Sequence, residues 1–434
     1  MKGRFYIFTF GCQMNEYDSE YLRRLLLRSG WEQAESMVDA DLIMVNTCTV
    51  RKKPEIKALS LIGRLCQLKK KNQNLKIGLM GCLAEHKGEE IFSRYPGVNF
   101  VIGPGSLSEI SRVIQENNLN KRFLAKGIKS IPCLPPVDVR EKKVTAFVSI
   151  MQGCNNYCSY CVVPYVRGPE RSRNYREIIA EIELLVEEGV KEITLLGQNV
   201  NSYLWNDSIM VRFPDLLRMI SGVDGLKRIR FTTSHPKDLT DELISCFKDI
   251  PILCNHIHLP FQAGSNRILS EMGRSYTREH YLNLVGKLRE ACPDISITTD
   301  VMVGFPGETE KDFQDTLDLM ERVQFDMAFS FKYSDREGTR AYHMTNKVPE
   351  EEKIRRLSVL QELQKNITLE KNRKMVGKVF EVLVEGKSKD GLLWMGRTTN
   401  NKIVNFRCDH SPEGDFLNVK ITEALNNSLR GEAV

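Results

Sequence analysis

Hydrophobic and polar positions along this chain keep two different beats. From residue 1 to about 125, short continuous apolar runs alternate with stretches in which apolar positions recur every three or four residues. The runs are Phe5–Phe10, Asp41–Asn46, Lys76–Met80 and Phe100–Ile102; the periodic stretches are Ser19–Arg28, Ile56–Leu68, Glu89–Tyr95 and Leu107–Glu116. An uninterrupted apolar run is the signature of a strand buried on both faces. The alternation therefore predicts an α/β domain over 1–125 with a doubly wound parallel sheet. In such sheets, ligands bind beyond the carboxyl ends of the strands.

Residues 126–143 carry Pro132, Pro135 and Pro136 and read as a linker. The alternation resumes over 144–371 with a longer repeat. Strands are expected at Ala146–Ile150, Glu192–Leu196, Arg228–Thr232, His256–Leu259, Ser296–Val303 and Ala328–Lys332. Helical stretches fall between them at Tyr175–Glu188, Leu239–Lys248, Arg278–Ala291 and Glu310–Val323. Six such units predict a partial (β/α)6 barrel, whose catalytic face is the carboxyl end of its strands. Glu350–Lys374 reads as one long charged helix leading out. Over 372–434 the period falls to two, with strands at Lys378–Val384, Leu392–Thr398, Lys402–Phe406 and Asn418–Ile421. Glycine turns separate them, and a small antiparallel β-barrel is expected.

Composition narrows the class. The chain has 434 residues, 41% hydrophobic and 27% charged, as in an ordinary globular enzyme. No apolar stretch approaches a membrane span, and Met1–Phe10 lacks signal-peptide architecture. The expected setting is the cytoplasm, without a membrane partner, where thiols stay reduced. The 12 cysteines then read as metal ligands, reactive thiols or small core residues. A net charge of +6 is too modest to establish a nucleic-acid partner. Arg51-Lys52-Lys53 and Lys69-Lys70-Lys71 read as solvated faces. For Arg167, Arg171 and Arg173, phosphate contact and an exposed face both remain open.

Six cysteines fall into two triplets. Cys154, Cys158 and Cys161 share one loop directly after the first barrel strand. Cys12, Cys48 and Cys82 are dispersed, each just past a predicted strand end in the first domain. Structural zinc takes four closed ligands, and the local triplet has no fourth at convenient spacing. An iron–sulfur cubane usually takes four thiolates, so three leave one iron open. Cysteines packed for volume alone are the competing reading, and it fits the dispersed triplet better than the local one. Cys66, Cys133, Cys246, Cys254, Cys292 and Cys408 read as packing. His235 and His258 are either site-lining or satisfied core residues.

The spacing Cys-x3-Cys-x2-Cys resembles the signature of radical S-adenosylmethionine (SAM) enzymes. Gly11-Cys12-Gln13-Met14-Asn15, Asn46-Thr47-Cys48, Met80-Gly81-Cys82, the run from Gly153 to Gly168 and the run from His258 to Arg267 resemble the methylthiotransferase family. The likeness is to its tRNA-modifying branch and covers essentially the whole chain. The ribosomal-protein branch usually has Pro-Lys-Asn after the first cysteine, and the threonylcarbamoyl-adenosine branch Lys-Val-Asn; Gln13-Met14-Asn15 fits neither. The terminal barrel resembles a TRAM RNA-binding domain.

That resemblance implies a methylthio transfer to C2 of N6-isopentenyladenosine at position 37, in the anticodon arm of tRNA. It implies two [4Fe-4S] clusters, one on each triplet. One SAM donates a methyl group, a second yields a deoxyadenosyl radical, and the N-terminal cluster carries the sulfur. An adenine C2–H bond is strong and not acidic, so no catalytic acid or base side chain is expected. SAM contacts are expected from Tyr160, Gly197, Gln198, Asn199, Thr233, Ser234, Gln262, Asp300, Val303 and Gly304. RNA contacts are expected from Arg167, Arg171, Arg173, Trp394, Arg397 and Lys402, although the last three also suit a barrel core with a charged rim. A flavodoxin or ferredoxin is the expected electron donor, and the chain is expected to be a monomer. The alternatives are a sibling enzyme acting on another tRNA base or a ribosomal protein, and a non-catalytic RNA-binding iron–sulfur protein.

Overall fold

The computed structural model describes residues 3–50, 52–115, 121–127, 131–136, 143–410 and 412–434. Parts of the expected linker (128–130 and 137–142), Glu116 at a predicted helix end, and Arg51 of one basic cluster lie outside them.

The first domain is a six-stranded parallel sheet: β1 (Arg4–Phe10), β2 (Glu32–Gln33), β3 (Leu42–Thr47), β4 (Lys76–Met80), β5 (Phe100–Ile102) and β6 (Phe123–Ala125). Their order across the sheet is β2-β1-β3-β4-β5-β6. The chain leaves β1 in one direction to form β2 and then crosses to form β3, so a topological switch point lies between β1 and β3. Helices cover both faces. Leu22 and Leu26 of α1 (Gln13–Arg28) pack with Phe5, Leu42 and Met44 on one side. Ala58, Leu61, Ile62 and Leu65 of α2 (Lys52–Lys71) pack with Ile43, Val45, Ile77 and Leu79 on the other. The same face carries α3 (Cys82–Lys87) and α4 (Glu90–Arg94), and α5 (Glu109–Gln115) joins α1. Strands β2 and β6, of two and three residues, are too short to leave a readable period.

Six parallel strands follow in consecutive order: β7 (Thr145–Ser149), β8 (Glu192–Leu196), β9 (Arg228–Phe231), β10 (His256–His258), β11 (Ser296–Val303) and β12 (Met327–Lys332). They form two ladders of three, joined by a parallel bridge from Ile229 to Leu253. The short α6 (Val163–Arg167) packs against α3 of the first domain, and α7 (Tyr175–Glu187), α8 (Phe213–Ser221), α9 (Asp241–Asp249), α11 (Arg278–Ala291) and α12 (Glu310–Val323) form the outer layer, with the short α10 (Asn266–Glu271) preceding α11. In α12, Thr309 caps the first turn and Asp312 returns the bond, while Phe313, Leu319, Met320 and Val323 face the core.

The long helix α13 (Glu350–Arg373) runs along the barrel wall. Near its start Arg356 pairs with Glu308 at the carboxyl end of the strands, 2.7 Å away. Near its end Lys371 pairs with Asp326 at the amino end of β12, 2.6 Å away. Then comes a closed five-stranded barrel: β13 (Val379–Lys387), β14 (Trp394–Thr398), β15 (Ile403–Arg407), β16 (Phe416–Ala424) and β17 (Leu429–Ala433). One pairing departs from the antiparallel expectation, because β15 and β17 run parallel to close the barrel. Strand β17 escaped the sequence pattern because Arg430, Gly431 and Glu432 interrupt it. A Cβ on Gly431 would lie 2.6 Å from the Lys420 carbonyl, so this strand needs the glycine to approach its neighbour.

The small barrel plugs the amino end of the large one. Arg228, first in β9, donates to the Arg397 carbonyl (2.8 Å) and pairs with Glu381 (2.9 Å). Arg230 donates to the carbonyls of Thr398 (2.7 Å) and Thr399 (3.0 Å). Lys191 reaches the Gly414 carbonyl at 2.5 Å, and Lys402 pairs with Asp326 at 3.1 Å.

Candidate cluster sites at the carboxyl ends of the two sheets

In the first domain the three dispersed cysteines end three adjacent strands, β1, β3 and β4. Cys12 caps α1, which starts at Gln13, six residues earlier than the apolar period suggests. Asn15 explains the early start: its side chain accepts from the Cys12 N–H at 3.2 Å and lies 3.3 Å from Cys12 Sγ. Asn15 in turn donates to Asn46 (3.0 Å), and Asn46 donates to the Asn15 carbonyl (2.7 Å) and to Ser19 (2.9 Å). This buried amide network ties the ends of β1 and β3 together. Gly81 must be glycine, with φ at +93° and Asn46 Oδ1 only 2.4 Å from where a Cβ would sit.

Cys48 and Cys82 are buried and Cys12 is exposed, so the set opens to solvent on one side. A hydrogen bond with the Cys48 thiol holds Cys12 well below the ordinary thiol range, and the same bond pushes Cys48 up. Burial raises Cys82, against the opposing charge of Arg167.

In the barrel, Gly153 turns the chain from β7 into the cysteine loop with φ at +87°. A Cβ there would stand 2.0 Å from the Pro169 carbonyl. Its N–H donates to Gln198 Oε1 at 2.5 Å. The Ser159 N–H donates to the Met272 carbonyl (2.9 Å), and the Ser159 carbonyl accepts from Ala341 (2.7 Å). Cys154 and Cys158 are buried and Cys161 is half-buried. Burial raises the Cys154 thiol and pushes Cys161 up to about 12.

A buried guanidinium stands against one sulfur of each set. Arg274 Nη1 lies 3.6 Å from Cys158 Sγ; its other donors meet the Tyr276 hydroxyl (2.9 Å) and the Pro260 carbonyl (3.0 Å). Among the described residues no carboxylate pairs with Arg274. A buried cation needs an anion, and the thiolates of the loop are the nearby groups able to supply one. Each set is thus three thiols beside a buried arginine, the donor chemistry of an anionic iron–sulfur group. Among the described residues no three His, Cys, Asp or Glu side chains converge as on one metal ion. Cubane thiolates bind separate irons and need no such convergence.

The expected SAM contacts ring the same mouth. Gly197, Gln198 and Asn199 follow β8, Thr233 and Ser234 follow β9, and Gln262, Asp300, Val303 and Gly304 lie on the rim of β10 and β11. Asn199 Oδ1, Ser234 Oγ and Gln152 Nε2 are buried polar atoms without a partner among the described residues, each just past a strand end. Gln152 was not anticipated from the sequence, where it is only one residue of the Gly153 approach. Thr233 (φ +70°) and Gln262 (φ +65°) hold left-handed backbone that non-glycine residues rarely adopt. Such strain gathers at functional sites. Gly197 has no room for a Cβ against Met151, and Gly304 none against Lys353. Tyr160 is half-buried between Cys158 and Cys161, and Val303 is buried. His258 bonds Thr298 (3.0 Å), with Asp300 at 3.6 Å; His235 caps the turn at Lys237 (3.2 Å).

The expected RNA contacts need correction. Arg167 and Arg173 are 3% exposed and spent internally. Arg173 pairs with Glu181 at 2.7 Å, and Arg167 with Asp18 at 2.7 Å. Trp394 is a core residue of the small barrel, under the Lys387 ammonium at 3.5 Å. Arg397 pairs with Glu385 (2.9 Å), and Lys402 belongs to the seam with Asp326. Sequence spacing records charge but not the carboxylate that the fold brings to it. Arg171 is half-buried, and its Nε and Nη2 have no partner among the described residues.

Residues 148–320 match the radical SAM superfamily, 4–103 the uncharacterized protein family UPF0004, and 373–434 the TRAM domain. A relative from Syntrophus aciditrophicus, named tRNA-2-methylthio-N(6)-dimethylallyladenosine synthase, is 50% identical over 99% of this chain and 94% of its own length. One of the same name from Clostridium perfringens is 48% identical over all of this chain and 98% of its own. Among solved structures, the radical SAM methyltransferase TsrM from Kitasatospora setae superposes with a TM-score of 0.57 at 15% identity. That superposition covers 79% of this chain and 74% of TsrM, a likeness of fold alone.

Proposed function

The chain belongs to the MiaB type of radical SAM methylthiotransferases, and from that membership we propose that it is a tRNA-2-methylthio-N6-dimethylallyladenosine synthase. Its reaction places a methylthio group on C2 of the dimethylallyl (isopentenyl) adenosine at position 37, in the anticodon arm. What carries the reading is the meeting of two three-thiol sets at one end of the molecule. Membership brings a SAM-binding [4Fe-4S] cluster and an auxiliary cluster. Bound there, they and two SAM molecules supply the electron, the hydrogen-abstracting radical, the methyl group and the sulfur.

The protein's own part is placement. Cys154, Cys158 and Cys161 would hold the barrel cluster and leave one iron for SAM. Cys12, Cys48 and Cys82 would hold the auxiliary cluster, with Cys12 on its solvent side, where a substrate base arrives. Asn199, Ser234 and Gln152 offer their unpaired polar atoms to SAM. Thr233, Gln262 and Asp300 share that rim, Gly197, Gln198 and Gly304 shape it, and Tyr160 and Val303 wall it. Of the three clustered arginines, Arg171 is the one not fully buried and so remains the candidate for an RNA phosphate. No side chain needs to act as acid or base. We place the enzyme in the cytoplasm as a monomer, reduced by a flavodoxin or ferredoxin.

The test is anaerobic reconstitution followed by iron analysis, SAM cleavage and nucleoside analysis of tRNA carrying dimethylallyladenosine. Two clusters per chain and a methylthio product are expected. One cluster per chain, or methylthiolation of a different base, would overturn the assignment.

A further inference from the structure

Arg167 belongs to the barrel by sequence and to the auxiliary site by contact. It ends α6, six residues beyond Cys161. Its Nε donates to Cys82 Sγ at 3.3 Å and its Nη2 to Asp18 at 2.7 Å. Its side chain is 4% exposed and that of Asp18 is 1% exposed, so neither meets solvent. Asp18 rides on α1, one turn beyond Asn15 and the Cys12 cap. One guanidinium therefore joins the loop that follows one cysteine set to a thiol of the other. The two sets also differ in electrostatics. Arg274 faces Cys158 with no carboxylate partner among the described residues, whereas the charge of Arg167 is shared between Cys82 and Asp18.

We propose that Arg167 is the positioning residue of the auxiliary cluster. It holds the Cys82 thiolate in place and sets the cluster's reduction potential, with Asp18 as the counterweight. This rests on the reading that Cys12, Cys48 and Cys82 carry that cluster. Hydrogen bonds and charge near cluster sulfurs are established levers on potential. Reduction adds negative charge, so a nearby cation favours the reduced cluster and a nearby anion disfavours it. The two members of the pair must therefore act with opposite sign. Asp18→Asn keeps an acceptor for Arg167 while removing the anion, and it raises the potential. Replacing both members, Arg167→Met with Asp18→Asn, removes the cation nearest the sulfur and lowers it. The double variant also avoids leaving one buried charge unpaired, the usual cause of misfolding at such pairs.

The experiment uses the full chain with Cys154, Cys158 and Cys161 as alanine, so that a single cluster reports. Iron content, circular dichroism and the midpoint potential by electron paramagnetic resonance titration are measured for this chain and for each substitution added to it. The expected result is an upward shift for Asp18→Asn and a downward shift for the pair, with Arg167→Lys between parent and pair. Loss of the cluster from a folded double variant would equally support the holding role. Full iron with unshifted potentials, or shifts of the same sign, would overturn the proposal. Absence of a cluster from the parent chain would instead overturn the auxiliary-cluster reading itself.

Discussion

The two ends of the large barrel are built from similar residue types put to different use. At the carboxyl end are the three cysteines of the barrel loop, joined through Arg167 to the first domain's three, with glycines that admit no Cβ, left-handed Thr233 and Gln262, and polar atoms without partners. At the amino end, Arg228, Arg230, Lys402 and Asp326 are joined to the terminal barrel across a tight seam. Strain and unpaired polar atoms cost stability. Such features also occur at the seam, as in Glu192, Arg228, His256 and left-handed Asn401, so what marks the cysteine end as the place where something else binds is that they stand there beside thiols. The opposite end is devoted to cohesion.

If that division holds, changes at the cysteine end remove chemistry and spare the fold, and changes at the seam do the reverse. The largest effect is expected from alanine at Cys154, Cys158 and Cys161 together: about half the iron lost and SAM cleavage abolished, checked by iron assay and product chromatography. Full cleavage in that variant would break the comparison at its strongest point. Alanine at Cys12, Cys48 and Cys82 should leave SAM cleavage in place and eliminate methylthiolated nucleoside, read by mass spectrometry of digested tRNA.

Glycines sharpen the contrast. Gly153 and Gly377 both sit at positive φ, +87° and +84°, but only Gly153 faces a carbonyl where a Cβ would go; Gly377 has nothing within 4 Å. Gly153→Ala should strip iron from the barrel loop. Gly377→Ala should cost only the left-handed strain, about 1–2 kcal/mol in thermal unfolding, with cluster loading unchanged.

At the seam, Asp326→Asn leaves Lys402 and Lys371 without their carboxylate. It should loosen the terminal barrel by about 3 kcal/mol, seen as an earlier unfolding step with SAM cleavage retained. Acid should do the same more gently. Burial works to raise the Asp326 carboxyl, and the two lysines override it and hold it below its ordinary value. Its stabilising contribution is therefore complete above the ordinary aspartate range and is lost as pH falls through the lowered value. Protease sensitivity of the metal-free chain between pH 5 and pH 2 checks this, with Asp326→Asn as the variant that should show no such step.

Legibility in the sequence follows the same division. The strands Glu192–Leu196 and Ser296–Val303 and the helices Arg278–Ala291 and Glu310–Val323 were readable to the residue, because each buries a face whose period is local. The cysteine loop was readable because its three sulfurs share one short segment. Asn15 and Asn46 stood inside the motifs, but their mutual bonds cross 31 residues and leave no spacing to detect. Arg167, Arg173, Trp394 and Lys402 were misread for a related reason. A basic or aromatic side chain looks alike in sequence whether it meets a phosphate or a carboxylate of its own chain, and only the fold distinguishes the two.

The helix α13 fixes a distance. Its 24 residues span about 36 Å, from the rim beside Glu308 to the seam beside Asp326. The terminal barrel therefore sits a helix-length from the cysteines. An RNA gripped there touches the mouth only if its stem is long and stiff enough to bridge that gap. The arrangement works as a caliper. On the proposed function, a complete anticodon arm would close both jaws and gain the effective concentration of a two-point hold. A bare loop can satisfy only one jaw, so its handicap would be one of reach rather than of reactivity.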